Sequence, residues 1–256
     1  MKTRNWWISG FAWLLAVLLR TFSWKKKAVT INLMNLDLWK HISREVFYKD
    51  LIRHLTREFF YWLGNYTNVQ YTDSTIEIFP KLQQGGILLT AHMGNWELFG
   101  SALSMQNIPL RASYQPLKSK LANQLLLKLR SRKTNYVVDL TSNPFQLKSL
   151  IESKSLITFM LDQDYRSSDH YMEGRFFGKP VACNPLPFRL QKKFSLPVFV
   201  GWSYRDKDGT LWIDIQMISD SFLNRYHSIL ENSILEQPSQ WAGWTHRRFK
   251  RLFEIY

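Results

Sequence analysis

The chain has 256 residues, 45% of them apolar and 15% aromatic, with 34 Lys and Arg against 20 Asp and Glu for a net charge of +14. This much apolar material excludes intrinsic disorder, the length points to one large domain, and a single cysteine, Cys183, excludes an internal disulfide and a thiolate metal cluster. The basic charge and 11 tryptophans point to an anionic, apolar surface as partner, with nucleic acid the rival that charge alone suggests.

The first feature along the chain is an uncharged run, residues 5–19. Extended to Trp24 with Arg20 snorkelling outward, it would cover about 30 Å as a helix, the thickness of a bilayer's hydrocarbon core. Trp6, Trp7 and Trp24 fall where an aromatic belt would stand, and Lys25, Lys26 and Lys27 outweigh Lys2 and Arg4, which places the C-terminal side in the cytoplasm. No small-x-small site follows the run, so a cleaved signal peptide is disfavoured; a helix lying in the interface is the alternative. Residues 1–27 are thus expected to be a membrane anchor and 28–256 the working domain.

Over residues 44–63, Phe47, Leu51, Leu55 and Phe59 recur in steps of four with Ile52 and Leu63 alongside, which predicts an amphipathic helix. Its outer face would carry Lys49, Asp50, Arg53, Arg57 and Glu58. Strand-like runs follow at 76–79, 87–90, 136–138, 156–159 and 198–200, separated by helical stretches such as 121–129 and 184–194. The alternation predicts an α/β fold with a mixed, largely parallel sheet flanked by helices, and a hairpin near 205–209.

No phosphate loop, Gly-x-Ser-x-Gly elbow, dinucleotide fingerprint or His-Glu-x-x-His zinc motif is present. The segment 85–100, Gly85 to Gly100, reads as strand, tight turn and helix, with His92 at the strand end and Glu97 in the first turns of the helix. In that geometry Glu97 would fold back across the Gly94-Asn95 turn to orient the imidazole of His92, leaving its other nitrogen as a base for a hydroxyl. N–H groups at the helix N-terminus, around Gly94, Asn95 and Trp96, or a nearby Arg would then stabilise the oxyanion of an attacked acyl carbonyl. The bland alternative is a structural histidine at a strand end with Glu97 complementing the helix dipole.

Four ordered blocks carry a resemblance: His92-Met93-Gly94-Asn95-Trp96-Glu97; Tyr114-Gln115-Pro116-Leu117-Lys118 with Leu129-Arg130-Ser131-Arg132; Asp162-Gln163-Asp164 with Phe176-Phe177-Gly178-Lys179-Pro180; and Glu236-Gln237-Pro238-Ser239-Gln240-Trp241 through His246-Arg247-Arg248-Phe249-Lys250. Together they resemble the lipid A late acyltransferases, a branch of the lysophospholipid and glycolipid acyltransferase superfamily. The resemblance implies a glycerolipid acyltransferase-like fold with an N-terminal membrane-anchoring helix, residues 28–256 being the acyltransferase domain. It implies an enzyme of the bacterial inner membrane, facing the cytoplasm, that moves a fatty acyl chain from acyl carrier protein or coenzyme A to a hydroxyl of a glycolipid, with no metal and no other cofactor.

By the same resemblance His92 is the base, Glu97 its orienter, Arg130 a phosphate or oxyanion contact, and Asp162 and Gln163 contacts behind the base or to the acceptor. Arg247 and Arg248, with His246, Lys250 and Arg251, would bind an acceptor diphosphate or an acidic carrier protein, or else form a solvated or phospholipid-facing basic patch. His41, His54 and His227 are expected to be structural and Cys183 a small buried residue. A lipid O-acyltransferase using acyl-coenzyme A, or an inactive membrane-anchored lipid-binding protein, are the alternatives. No nucleic-acid recognition module is apparent.

Overall fold

Continuous apolar runs such as Ile87-Leu88-Leu89 are what a strand buried on both faces requires, and that run forms the middle of a seven-stranded sheet. The computed structural model describes residues 26–36, 43–64, 68–113, 119–131, 137–138, 145–165, 170–219 and 222–246. The strands are β1 (Val69–Tyr71), β2 (Gly86–Thr90), β3 (Leu110–Ser113), β4 (Val137–Val138), β5 (Leu156–Met160), β6 (Met172–Phe176), β7 (Lys179–Cys183), β8 (Val198–Arg205) and β9 (Leu211–Ile218). The large sheet runs β1-β9-β8-β2-β5-β3-β4, and β6 pairs with β7 in a separate hairpin. Every neighbouring pair in the large sheet is parallel except β8 with β9, which the turn at 206–210 joins as an antiparallel hairpin. The expected α/β fold with a mixed, largely parallel sheet is therefore present.

The helices are α1 (Lys26–Asn35), α2 (Arg44–Leu63), α3 (Asp73–Glu77), α4 (Phe79–Leu82), α5 (Trp96–Met105), α6 (Lys120–Ser131), α7 (Phe145–Glu152), α8 (Leu186–Phe194) and α9 (Phe222–Glu236), followed by two 3-10 turns, Pro238–Gln240 and Ala242–Thr245. On one face of the sheet Ile87, Leu89, Ile157 and Phe159 pack with Phe47 and Leu51 of α2, Tyr226 and Leu230 of α9, and the tail residues Trp241 and Trp244. On the other face Leu88, Leu156 and Phe199 pack with Leu82, Phe99 and Leu103. Each such side chain contributes about 1.5–3 kcal/mol on leaving water.

Two expectations need correction. Residues 76–79, read as a strand, lie across α3 and α4. The Thr72 hydroxyl caps α3 by accepting from the Thr75 N–H at 3.4 Å, and Pro80 sits in the first turn of α4, so start signals outweigh the β-branched composition. The edge strand is Val69–Tyr71 instead. The helix over 44–63 forms as expected, but its faces differ: Glu58 is 3% exposed and Phe59 48%. A buried cationic partner for Glu58, supplied from β8, explains the inversion. The proposed anchor at 5–24 lies outside the described residues, and among those described no helix is long and apolar enough to cross a membrane.

Candidate active site

Strands β2 and β5 pair in parallel with Thr90 opposite Met160. His92 and Asp162 each follow their strand's last residue by two positions, so the register carries them past the carboxyl ends side by side, where parallel sheets place ligand sites. His92 Nδ1 stands 2.9 Å from Asp162 Oδ1, and the His92 backbone N–H donates to Oδ2 at 2.9 Å. The Trp241 indole Nε1 donates to the same Oδ2 at 2.9 Å. Asp162 is fully buried, while His92 keeps 19% of its side-chain surface open.

Burial works against the charge on Asp162, but the facing His92 and these donated hydrogen bonds hold its carboxyl down at about 2. It is therefore an acceptor at neutral pH, which puts the proton of His92 on Nδ1 and leaves the Nε2 lone pair for a substrate. For His92, burial lowers the pKa, and the Asp162 carboxylate overrides it through charge and hydrogen bond, with Glu97 adding to the rise; the net direction is upward.

Glu97 does not play the part expected of it. No hydrogen bond joins it to His92; its carboxylate instead takes a two-pronged ion pair from Arg130, whose Nε lies 2.9 Å from Oε2 and whose terminal nitrogen contacts Oε1. The reason is geometric: α5 carries Glu97 away from the strand end toward α6, and the neighbouring strand delivers Asp162 to the ring first. Arg130, expected on a phosphate or oxyanion, is engaged with Glu97.

The turn between them is built for support. Gly94 has φ +59°, and a Cβ there would lie 2.0 Å from the Ser203 carbonyl oxygen, so only glycine fits. Asn95, expected among the substrate contacts, is buried: its Oδ1 caps α5 at the Leu98 N–H (3.0 Å) and its Nδ2 donates to Glu58 Oε2 (3.0 Å). Trp96 stands edge-on to His92 with ring centres 5.3 Å apart.

Behind the turn lies a buried charge cluster that sequence reasoning missed. Arg205 Nε and a terminal nitrogen donate to Glu58 at 2.8 and 2.7 Å, with both side chains nearly inaccessible. Burial opposes the Glu58 charge, yet Arg205 holds the carboxyl at about 2. His54, one helical turn before Glu58, donates from Nε2 to the Gly94 carbonyl at 3.3 Å, and burial pushes its pKa down to about 4 despite Glu58. The i, i+4 spacing of His54 and Glu58 was the available signal.

The tail completes the site. Gly94 N–H donates to the Gln240 carbonyl (3.0 Å), Ala242 N–H to the His92 carbonyl (2.8 Å), and Met93 bridges Trp241, so residues 240–242 hold residues 92–94 from outside. Gln240 in turn clasps both backbone groups of Arg205. His246, expected in a basic patch, stands beside His92 with their ring centres 5.9 Å apart. Gln163 lies between them, its Nε2 3.3 Å from each His92 ring nitrogen and 3.2 Å from His246 Nε2. Arg247 and Arg248 lie outside the described residues. His227 and Cys183 are buried, as expected. Among the described residues no cluster of His, Cys, Asp and Glu is arranged to hold a metal ion.

A histidine that is one-fifth open and faced by a buried aspartate, at the carboxyl ends of parallel strands, can deprotonate a hydroxyl for attack on a carbonyl. No curated relative matches the chain. Residues 74–251, which span β2, β5, the His92 turn and the tail, match the bacterial lipid A biosynthesis acyltransferase family, and the chain belongs to that family of lipid acyltransferases.

Proposed function

We propose that the protein transfers a fatty acyl chain from an acyl thioester, carried by acyl carrier protein or coenzyme A, to a hydroxyl of a lipid A precursor or related glycolipid. The observation that carries the reading is the His92 Nδ1 to Asp162 Oδ1 contact of 2.9 Å, with the ring part-open at the strand ends. His92 Nε2 takes the hydroxyl proton as the oxygen attacks the thioester carbon. The C–S bond then breaks with its electron pair on sulfur, and the thiolate recovers the proton from His92. Asp162 stays ionised throughout, and no metal or cofactor enters the step. Glu97, held by Arg130, favours the imidazolium, and the Arg130 guanidinium opposes it.

The excess of 34 basic over 20 acidic residues supports an anionic membrane, an anionic glycolipid and an acidic donor protein as partners, at the cytoplasmic side of a bacterial inner membrane. The test is to incubate detergent-solubilised protein, and its His92→Ala variant, with both thioesters and a bacterial lipid extract, reading products by mass spectrometry. A glycolipid heavier by one acyl group with the wild type alone is the expected result. Acylation of lysophospholipid instead would favour the coenzyme A-dependent phospholipid branch, and no mass shift from a folded protein would favour a lipid-binding role.

A further inference from the structure

The mechanism above leaves one requirement unassigned, a donor for the oxyanion that forms on the thioester carbonyl. The Gln163 amide nitrogen lies 3.3 Å from both His92 ring nitrogens, which places it over the imidazole face beside Nε2, the atom that receives the substrate proton, rather than on that atom's in-plane lone pair. The amide carries two N–H groups, and the second reaches His246 Nε2 at 3.2 Å. His246 is itself held at both backbone groups, its N–H donating to the Gly243 carbonyl (3.0 Å) and its carbonyl accepting from Asn32 Nδ2 of α1 (2.7 Å). An attacking oxygen at hydrogen-bond distance from His92 Nε2 places the developing oxyanion about one bond pair further on, within reach of an amide nitrogen 3.3 Å from the same Nε2.

On the reading of His92 as the base of acyl transfer, we propose that Gln163 is a catalytic residue whose side-chain N–H stabilises the oxyanion, and that His246 is its positioning residue. With the acceptor hydroxyl on the in-plane lone pair of His92 Nε2, one Gln163 N–H, held over the ring face, donates to the carbonyl oxygen. His246 Nε2 keeps the other N–H engaged, so the amide presents nitrogen rather than oxygen to the reacting carbon. The bond changes are those of the transfer itself, and Gln163 and His246 neither gain nor lose a proton.

The experiment uses the full detergent-solubilised chain with lauroyl-coenzyme A and lauroyl-acyl carrier protein, a lipid A precursor as acceptor, and thiol release as readout. Gln163→Met, close in length but without a donor, should lower kcat by about 100- to 1,000-fold with KM for the thioester little changed. His246→Phe, which keeps a ring without an acceptor, should lower kcat by about 10- to 100-fold, and His246→Gln should recover most of it. The double variant Gln163→Met with His246→Phe should be no slower than Gln163→Met alone, because His246 acts through Gln163. Melting temperatures for each variant separate loss of folding from loss of rate. Retained kcat in Gln163→Met, additive losses in the double variant, or failure of His246→Gln to recover would each overturn the proposal while leaving His92 as base, provided His92→Ala is inactive. Equal thiol release by wild type and His92→Ala would overturn both.

Discussion

The Trp241 indole and the His92 backbone N–H donate to the same oxygen of Asp162, each at 2.9 Å, while the other oxygen faces the His92 ring. A residue from the far end of the chain thus fixes the carboxylate that faces the His92 ring. Because both ring orientation and proton placement depend on Asp162, Asp162→Asn should cut kcat by about 10²- to 10⁴-fold. Removing the carboxylate also removes what keeps the His92 pKa raised, so the acid limb of the pH–rate profile should move down. The check is kcat/KM against pH for both proteins; an unshifted limb would point to another base.

In the wild type that acid limb should lie above pH 6.5. His92 is raised from 6.5, and only its neutral form accepts the hydroxyl proton, so activity climbs as pH rises through the folded pKa. Values of kcat/KM between about pH 5 and 9, the range where imidazoles titrate, measure this directly.

The pair Glu58–Arg205 should be worth more as a pair than either half alone. Glu58→Ala leaves Arg205 buried without its carboxylate and should cost about 3–5 kcal/mol in urea unfolding. Arg205→Met with Glu58→Leu, which removes both charges, should lose far less, and a double variant as unstable as Glu58→Ala would contradict this account.

Stability should fall on acidification in two stages. His54 drops from 6.5 to about 4 on folding, so the unfolded chain binds its proton first and stability declines as pH falls from 6.5 toward 4. Glu58 and Asp162 drop to about 2 from 4.5 and 3.8, so their contribution is full above those values and is lost as pH falls toward 2. His92 has the opposite sign: its contribution is full below 6.5 and is lost as pH rises through its raised pKa. Urea midpoints from pH 3 to 9 should trace these slopes, and a flat profile between about 6 and 4 would remove His54 as a buried neutral group.

Gly94→Ala places a Cβ 2.0 Å from the Ser203 carbonyl in a left-handed conformation. The strain should cost at least about 1–3 kcal/mol and displace the His92 turn, lowering kcat as well as the melting temperature. Ser203→Ala, which loses only the hydroxyl accepting from Asn95 N–H at 2.9 Å, should be milder, about 1 kcal/mol.

Local pattern was sufficient for the elements whose burial follows from their own residues. The period-four apolar series of α2, the run Ile87 to Leu89 and the turn at 206–210 were all legible, as were the ordered blocks marking the family. What pattern could not supply was partnership between distant segments. Glu58 looks like a surface charge until β8 brings Arg205 to it, and His246 looks like part of a basic tail until Asn32 and Gly243 fix it beside Gln163. The choice of Asp162 over Glu97 as the orienting carboxylate depends on the β2–β5 register, which pairs Thr90 with Met160. Hydrophobic periodicity is set within a few turns of one chain segment, whereas a buried charge or a ring orientation is set by whichever group the sheet pairing delivers across space. The elements were therefore determined by the sequence as read locally, and the wiring of the site only by the tertiary structure.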